Sequence, residues 1–220
     1  MPKPIRFLAM FLIGLCFFGC SSVSTYTIRV NGYTDPGAPG LIKPGGSFYI
    51  MENREAKNPL LEKEIKEKID KLLLTHGYPT TSSEKADYFL FFDYGLGEPR
   101  SVNVTTPDYY GGFGWGWGGG YGGGGPAVAI GIPWGGSTYS AAFFDRWLLL
   151  KVVEGPAYRT QKTSPPVWVG EARSVGTSSD LRQVLNYLLV ANFKEFGKNT
   201  GQAVTKEIKA DNPEVYSLTH

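Results

Sequence analysis

Two stretches of the chain place apolar residues at helical spacing. The first opens with Asn58 and Pro59, which are typical of a helix start, and Gly77 is typical of the residue after a helix end. Its apolar positions are Leu61, Ile65, Ile69, Leu72 and Leu73. The second stretch begins at Ser179 or Asp180. Its repeating positions are Leu181, Val184, Leu185, Leu188, Leu189, Asn192, Phe193 and Phe196. The pattern therefore predicts two helices, each with one apolar stripe.

Alternating residues and short apolar runs predict the strands, at residues 26–30, 47–51, 87–94, 141–153 and 166–175. A polar connection over residues 155–165 favours an antiparallel hairpin between the last two strands. Residues 203–208 are a further candidate, for a short edge strand. The order of strands and helices predicts an α+β fold: a single two-layer sandwich with a mostly antiparallel sheet and two helices packed on one face.

The first 19 residues have the pattern of an export signal. Lys3 and Arg6 precede an unbroken apolar run of twelve residues, Phe7 to Phe18. As a helix this run would be about 18 Å long, too short for the roughly 30 Å hydrocarbon core of a bilayer. Gly19 and Cys20 follow it, and this resembles a bacterial lipoprotein signal, in which the peptidase cuts before a lipidated cysteine. The alternative is cleavage by the ordinary signal peptidase after residues 22–24, which would give a soluble periplasmic or secreted protein.

These patterns divide the chain into four parts. We expect a signal peptide at residues 1–19, a lipidated tether at 20–25, an α+β domain at 26–198 and a polar C-terminal tail at 199–220. Cys20 would carry the lipid. Under the sorting rule that enteric lipoproteins follow, Ser21 favours the periplasmic face of the outer membrane. The chain would then meet the membrane through its lipid anchor.

Charge and composition exclude several classes of function. Removing the signal takes two of the 22 basic residues and none of the 20 acidic ones, so the mature net charge is zero. A neutral body gives no reason to expect nucleic-acid binding. With two cysteines and two histidines, disulfide scaffolds and Cys/His zinc sites are not expected, and neither is any cofactor. His76 stands at the predicted end of the first helix, where a histidine meets the free carbonyls.

Residues 109–137 form an insertion rich in glycine and aromatic residues, with eleven glycines between Gly111 and Gly125. So much glycine predicts a disordered loop between two strands. Gly114, Gly116 and Gly119 match a dinucleotide-binding spacing, but no amphipathic helix follows them. The segment is either a simple linker or an adhesive loop for a glycan, a membrane interface, another protein or a second copy. The candidate contact residues are Tyr110, Phe113, Trp115, Trp117, Tyr121 and Trp134.

No pattern in the sequence predicts catalysis, and two weaker alternatives stay open. Carboxylates near Asp93 and Glu98, or Asp145 and Glu171 in the predicted hairpin, could serve a hydrolase of periplasmic polymer. A small-ligand carrier would require an apolar pocket between the sheet and the helices.

Several short motifs occur in a fixed order along the chain: Phe48-Tyr49, Asn58-Pro59, Gly77-Tyr78, Ala86-Asp87-Tyr88 and Val167-Trp168 with Gly170. Together with the signal, this order resembles the bacterial lipoproteins of the domain-of-unknown-function 4136 family. The resemblance implies a location in the cell envelope and a fold with helices and strands, and it supplies no catalytic residue. We expect a non-enzymatic, lipid-anchored envelope protein that binds another envelope protein or a glycan.

Overall fold

The computed structural model describes residues 24–35, 42–53, 55–106, 137–162 and 164–219. These residues form an α+β fold with one mixed sheet. The strands are β1 (Thr25–Thr34), β2 (Phe48–Ile50), β3 (Tyr88–Leu96), β4 (Arg100–Thr106), β5 (Ser137–Glu154), β6 (Pro166–Gly176) and β7 (Val204–Lys209). The helices are α1 (Pro59–Thr75), α2 (Gly155–Gln161), α3 (Leu181–Phe193) and α4 (Pro213–Thr219).

The sheet has the strand order β2-β3-β5-β6-β1-β7, and β4 pairs with β5 beside this path. β2 and β3 run parallel, and the other pairings among the described strands are antiparallel. The predicted hairpin is present as β5 and β6, with Leu150 opposite Gly170. The α+β prediction is therefore confirmed.

The two faces of the sheet differ because successive side chains of a strand point to opposite sides. On what we call the inner face, Leu148, Leu150 and Val152 of β5 are fully buried. They belong to the same core as Leu188 and Leu189 of α3, and the apolar stripe of α1 also packs there. The outer face carries the alternate residues, among them Trp147, Arg173 and Arg29.

The prediction of helix α1 is confirmed, including the residues at which it begins and ends. The Asn58 side chain accepts a hydrogen bond from the Leu61 backbone N–H at 3.1 Å. At the other end Gly77 has φ +82°, the left-handed conformation that favours glycine. The Tyr78 N–H then donates to the Leu73 carbonyl at 2.8 Å, which closes the helix in a Schellman motif.

Two elements near β5 were not predicted. Residues 155–165 were expected to be a polar connection, yet they contain α2, whose Tyr158 ring contacts Phe89 and Phe91 on the outer face. Residues 100–106 were assigned no structure, yet they form β4. In both cases the pairing or packing partner is distant in sequence, so the local pattern carried little signal.

The C-terminal segment is part of the fold rather than a tail. The candidate edge strand is present as β7, which pairs with β1. Helix α4 follows it, and its Val215 and Leu218 are buried in the core. The domain therefore extends past the expected boundary at residue 198 to the end of α4. Although the sequence of α4 is mostly polar, its two buried apolar residues are enough to pack it against the core.

Candidate functional site

The predicted lipidation site and the predicted contact residues of the insertion lie outside the described part of the chain. This holds for Cys20, for the whole signal, and for the candidate contact residues Tyr110, Phe113, Trp115, Trp117, Tyr121 and Trp134. The prediction of a disordered Gly/aromatic loop also falls there, at residues 107–136. The structure does describe the strands on both sides of this insertion, and they determine where it leaves the fold.

β4 and β5 lead into the insertion as a two-stranded arm. β3 pairs with the second half of β5, and β4 continues along the same edge, from Arg100 opposite Phe143 to Thr106 opposite Ser137. On the other side of β5, β6 ends with Gly176 opposite Phe144. From Phe143 to Ser137 the arm therefore extends about 20 Å past the end of β6, at ~3.3 Å per residue.

The first strand begins at the same end of the sheet. Arg29 of β1 lies opposite Arg173 of β6, which lies opposite Trp147 of β5. β1 and β5 thus run in the same direction, and Thr25 is level with Phe143. The start of β1 and the arm therefore lie at the same end of the sheet.

A charged groove occupies the outer face at this end, with a cavity of about 510 Å³. Its lining includes Arg29 from β1, Arg173 from β6 and Arg100 from β4. Asp145 lies between the last two, 3.4 Å from the Arg173 guanidinium and 3.9 Å from that of Arg100. Sequence analysis did not find this groove, because strands far apart in sequence bring its residues together.

Glu171 binds Arg173 closely, with 2.6 Å between carboxylate and guanidinium. This hydrogen bond is the largest of the effects that raise the pKa of Arg173 above its ordinary value, and the charge of Asp145 adds to it. The hairpin thus brings together Asp145 and Glu171, as its prediction implied, but it places an arginine between them.

The other residues that the sequence analysis considered for acid–base chemistry are Asp93, Glu98 and His76. Asp93 and Glu98 are both exposed, and the Asp93 carboxylate accepts a hydrogen bond from the Tyr94 backbone N–H. His76 ends α1, where its Nε2 lies 3.5 Å from the Glu214 carboxylate of α4. Within the described residues, no group of three or more His, Cys, Asp or Glu side chains is placed to hold a metal ion.

A second cavity, of about 450 Å³, lies among α1, α3 and α4. Glu64 on its wall binds Lys68 at 2.5 Å and Arg182 at 2.7 Å. Burial alone would raise the pKa of Glu64, but the hydrogen bonds from Arg182 and Lys68 outweigh it and hold that pKa below 4.5. The two basic side chains beside this cavity, Lys68 and Arg182, are thus both paired with Glu64. In the groove on the outer face, by contrast, Arg29 forms no ion pair with a described carboxylate.

Among the described residues, no helix is both long enough and apolar enough to cross a membrane.

Comparison with solved structures finds resemblances of fold at low sequence identity. A PDZ domain protein from Parabacteroides distasonis matches with a TM-score of 0.42 and 11% identity, over 91% of this chain and 41% of that protein. The chain thus spans less than half the length of that relative. The PelC dodecamer from Paraburkholderia phytofirmans matches with a TM-score of 0.40 and 11% identity, over 78% of this chain and 99% of the PelC chain. At such TM-scores neither resemblance extends to function.

No curated protein matches the sequence. The family model described as "Domain of unknown function (DUF4136)" matches residues 20–196, which is most of the chain. That span contains the ordered motifs noted in the sequence, from the aromatic pair Phe48-Tyr49 to the end of the second predicted helix. The chain therefore belongs to the DUF4136 family.

Proposed function

We propose that this chain is a lipid-anchored protein of the bacterial cell envelope, held on the periplasmic face of the outer membrane. Cys20 carries the lipid, and residues 20–25 are the tether. The folded domain has no enzymatic activity. It positions the insertion at residues 109–137 so that its aromatic residues bind an envelope component at the membrane surface.

The common end shared by β1 and the arm is the observation that supports this proposal. Cys20 precedes Thr25 by five residues, so an extended tether reaches at most about 17 Å beyond the sheet. The arm reaches about 20 Å in the same direction before the insertion begins. A lipid on Cys20 would therefore hold the start of the insertion close to the membrane surface.

The chemistry of the insertion suits that position. Trp and Tyr side chains combine an apolar ring with a polar atom, and they are favoured where lipid meets water. Trp115, Trp117 and Tyr121 would then contact lipid headgroups or the parts of a glycan or protein that lie there. One acyl chain gives only marginal attachment, so the anchor needs at least the diacylglycerol of a lipoprotein cysteine.

The contacts favour binding over the two alternatives. Asp145 and Glu171 both bind Arg173, and this side chain lies between them where a hydrolase would have to place the glycosidic bond. A carrier would require space between the sheet and the helices, and that interface is filled by fully buried side chains such as Leu150 and Leu188.

The lipid anchor is tested by growing cells with a clickable fatty acid and measuring its incorporation into the protein. We expect labelled wild-type protein in the membrane fraction. Cys20→Ala should be unlabelled and recovered elsewhere. Unlabelled wild-type protein, or a mature N-terminus downstream of Cys20, would show that the ordinary signal peptidase processes the chain.

The role of the insertion is tested by crosslinking in cells followed by mass spectrometry. Three forms are compared: wild type, Cys20→Ala, and a deletion of residues 110–125. We expect crosslinked partners of the wild type to be lost in both variants. If the deletion keeps every partner, the insertion is a linker and the binding surface lies on the folded domain.

A further inference from the structure

The groove on the outer face brings three arginine side chains close together. Three guanidinium groups, those of Arg29, Arg100 and Arg173, meet there. They face two carboxylates, Asp145 and Glu171, and Arg173 binds both. Arg100 reaches only the Asp145 carboxylate, which it shares. Neither of these two carboxylates forms an ion pair with Arg29.

Arg29 is placed where a like charge opposes it. Its direct partner across the β1–β6 ladder is Arg173, and like charges directly opposite each other destabilise a sheet. On its other side, across β7, Arg29 faces Thr205, while Glu207 lies opposite Thr27. No ion pair joins Arg29 to a carboxylate within the described part of the chain. A bound anion between Arg29 and Arg173 would relieve this repulsion.

From this geometry we infer that the groove binds the oxyanion of an acidic sugar, a carboxylate or a phosphate group carried on a saccharide. Arginine binds such planar or tetrahedral oxyanions through two parallel N–H···O bonds, and the guanidinium group stays charged at any physiological pH.

The rest of the groove favours a sugar over a bare ion. Thr27 and Asn31 lie two residues to either side of Arg29 on β1, so their neutral polar side chains share its face. Hydroxyl and amide groups of this kind hydrogen-bond sugar hydroxyls, and the exposed Val175 adds an apolar patch to the wall. A cavity of about 510 Å³ is within the usual range for small-molecule sites.

The test uses the purified full chain in a neutral polyoxyethylene detergent, titrated with glucose 6-phosphate, glucuronate and glucose by isothermal calorimetry. We expect millimolar binding of at least one acidic sugar, weakened by added salt, and none of glucose. Arg29→Gln should weaken binding about tenfold, because a charge-assisted hydrogen bond is lost. Arg182→Gln is the control, since it removes the same charged group from an arginine that lines the other cavity, among α1, α3 and α4.

Each outcome decides the proposal. Binding of glucose 6-phosphate alone identifies phosphate as the ligand group, and binding of glucuronate alone identifies carboxylate. Binding of glucose with equal affinity, no binding of either acidic sugar, or equal losses in Arg29→Gln and Arg182→Gln would each overturn it. The result is independent of the lipid anchor, because fatty-acid labelling of Cys20 does not involve the groove.

Discussion

The inner and outer faces of the sheet differ in how far their side chains are buried, and two neighbouring residues of β6 show this difference. Ala172 points to the inner face and is fully buried, while the next side chain, Arg173, points outward and is 51% exposed. The inner face is covered by helices and packed with aliphatic and aromatic side chains. At the end near the arm the outer face is more exposed and charged. Substitutions on the inner face should therefore affect stability more than substitutions at that end of the outer face.

The largest expected difference between the faces concerns two glycines that each lie under a tryptophan ring. A methyl group on Gly170 would lie 2.2 Å from the buried Trp168 ring and 2.3 Å from the Asn192 side chain. On the outer face, a methyl group on Gly95 would lie 2.6 Å from the Trp147 ring. Gly170→Ala should cost about 3 kcal/mol in the free energy of unfolding, because neither neighbour has space to move.

Gly95→Ala should cost only about 1 kcal/mol, since the half-buried Trp147 ring is able to turn toward solvent. Urea denaturation of both variants gives the comparison. Combining Gly170→Ala with Trp168→Phe, which removes the clashing ring atoms, should recover part of the loss. Equal costs for the two glycines would mean that the outer face is packed as tightly as the inner one.

A smaller difference is expected between two ion-pair networks. Glu64 binds Lys68, whose side chain is only 9% exposed, whereas Asp145 binds arginines that are mostly exposed. Glu64→Gln should cost about 2 kcal/mol at neutral pH, because it leaves a buried charge without its partner. Asp145→Asn should cost about 0.5 kcal/mol, as is usual for exposed pairs.

The pH dependence distinguishes the two networks further. The folded-state pKa of Glu64 is below 4.5, so its stabilising contribution is present above pH 4.5 and is lost as the pH falls through that lower value. The difference between wild type and Glu64→Gln should therefore shrink as the solution is acidified below the ordinary pKa of a carboxyl group. Urea titrations at neutral and at acidic pH measure it. A cost that stays constant with pH would mean that the carboxylate charge of Glu64 does not contribute.

A small effect of opposite sign, a gain in stability, should come from shortening the insertion. Residues 107–136 connect the paired ends of β4 and β5, and deleting residues 110–125 leaves 14 of those 30 residues. Loop-closure entropy predicts a gain of only about 0.6 kcal/mol from this shortening. Thermal unfolding should show a slightly raised Tm. A large fall in Tm would show that the insertion packs against the fold.

The sequence predicted the elements whose signals are local. Asn58-Pro59 and Gly77 delimit α1, and a long, mostly apolar run, interrupted by Asp145 and Arg146, predicted β5. Helix α4 carries a similar start, with Asn212 accepting hydrogen bonds from the Glu214 and Val215 N–H groups. It was missed because only two buried residues, Val215 and Leu218, follow, which is too few to establish helical spacing.

The charged groove could not be predicted in the same way. Arg29, Arg100 and Arg173 are separated by about 70 residues at each step, and only the strand register brings them together. The net charge of zero did not indicate the groove, because it does not show where individual arginines lie in the fold. The lipid anchor and the contact residues of the insertion stay predictions, because they fall outside the described residues.

The arm has one more consequence, which concerns how far the insertion lies from the side chains that stabilise the fold. The arm extends about 20 Å past the end of β6, whereas the fully buried residues of β5 begin at Leu148. Substitutions at the far end of the arm should therefore leave the packing of the core unchanged.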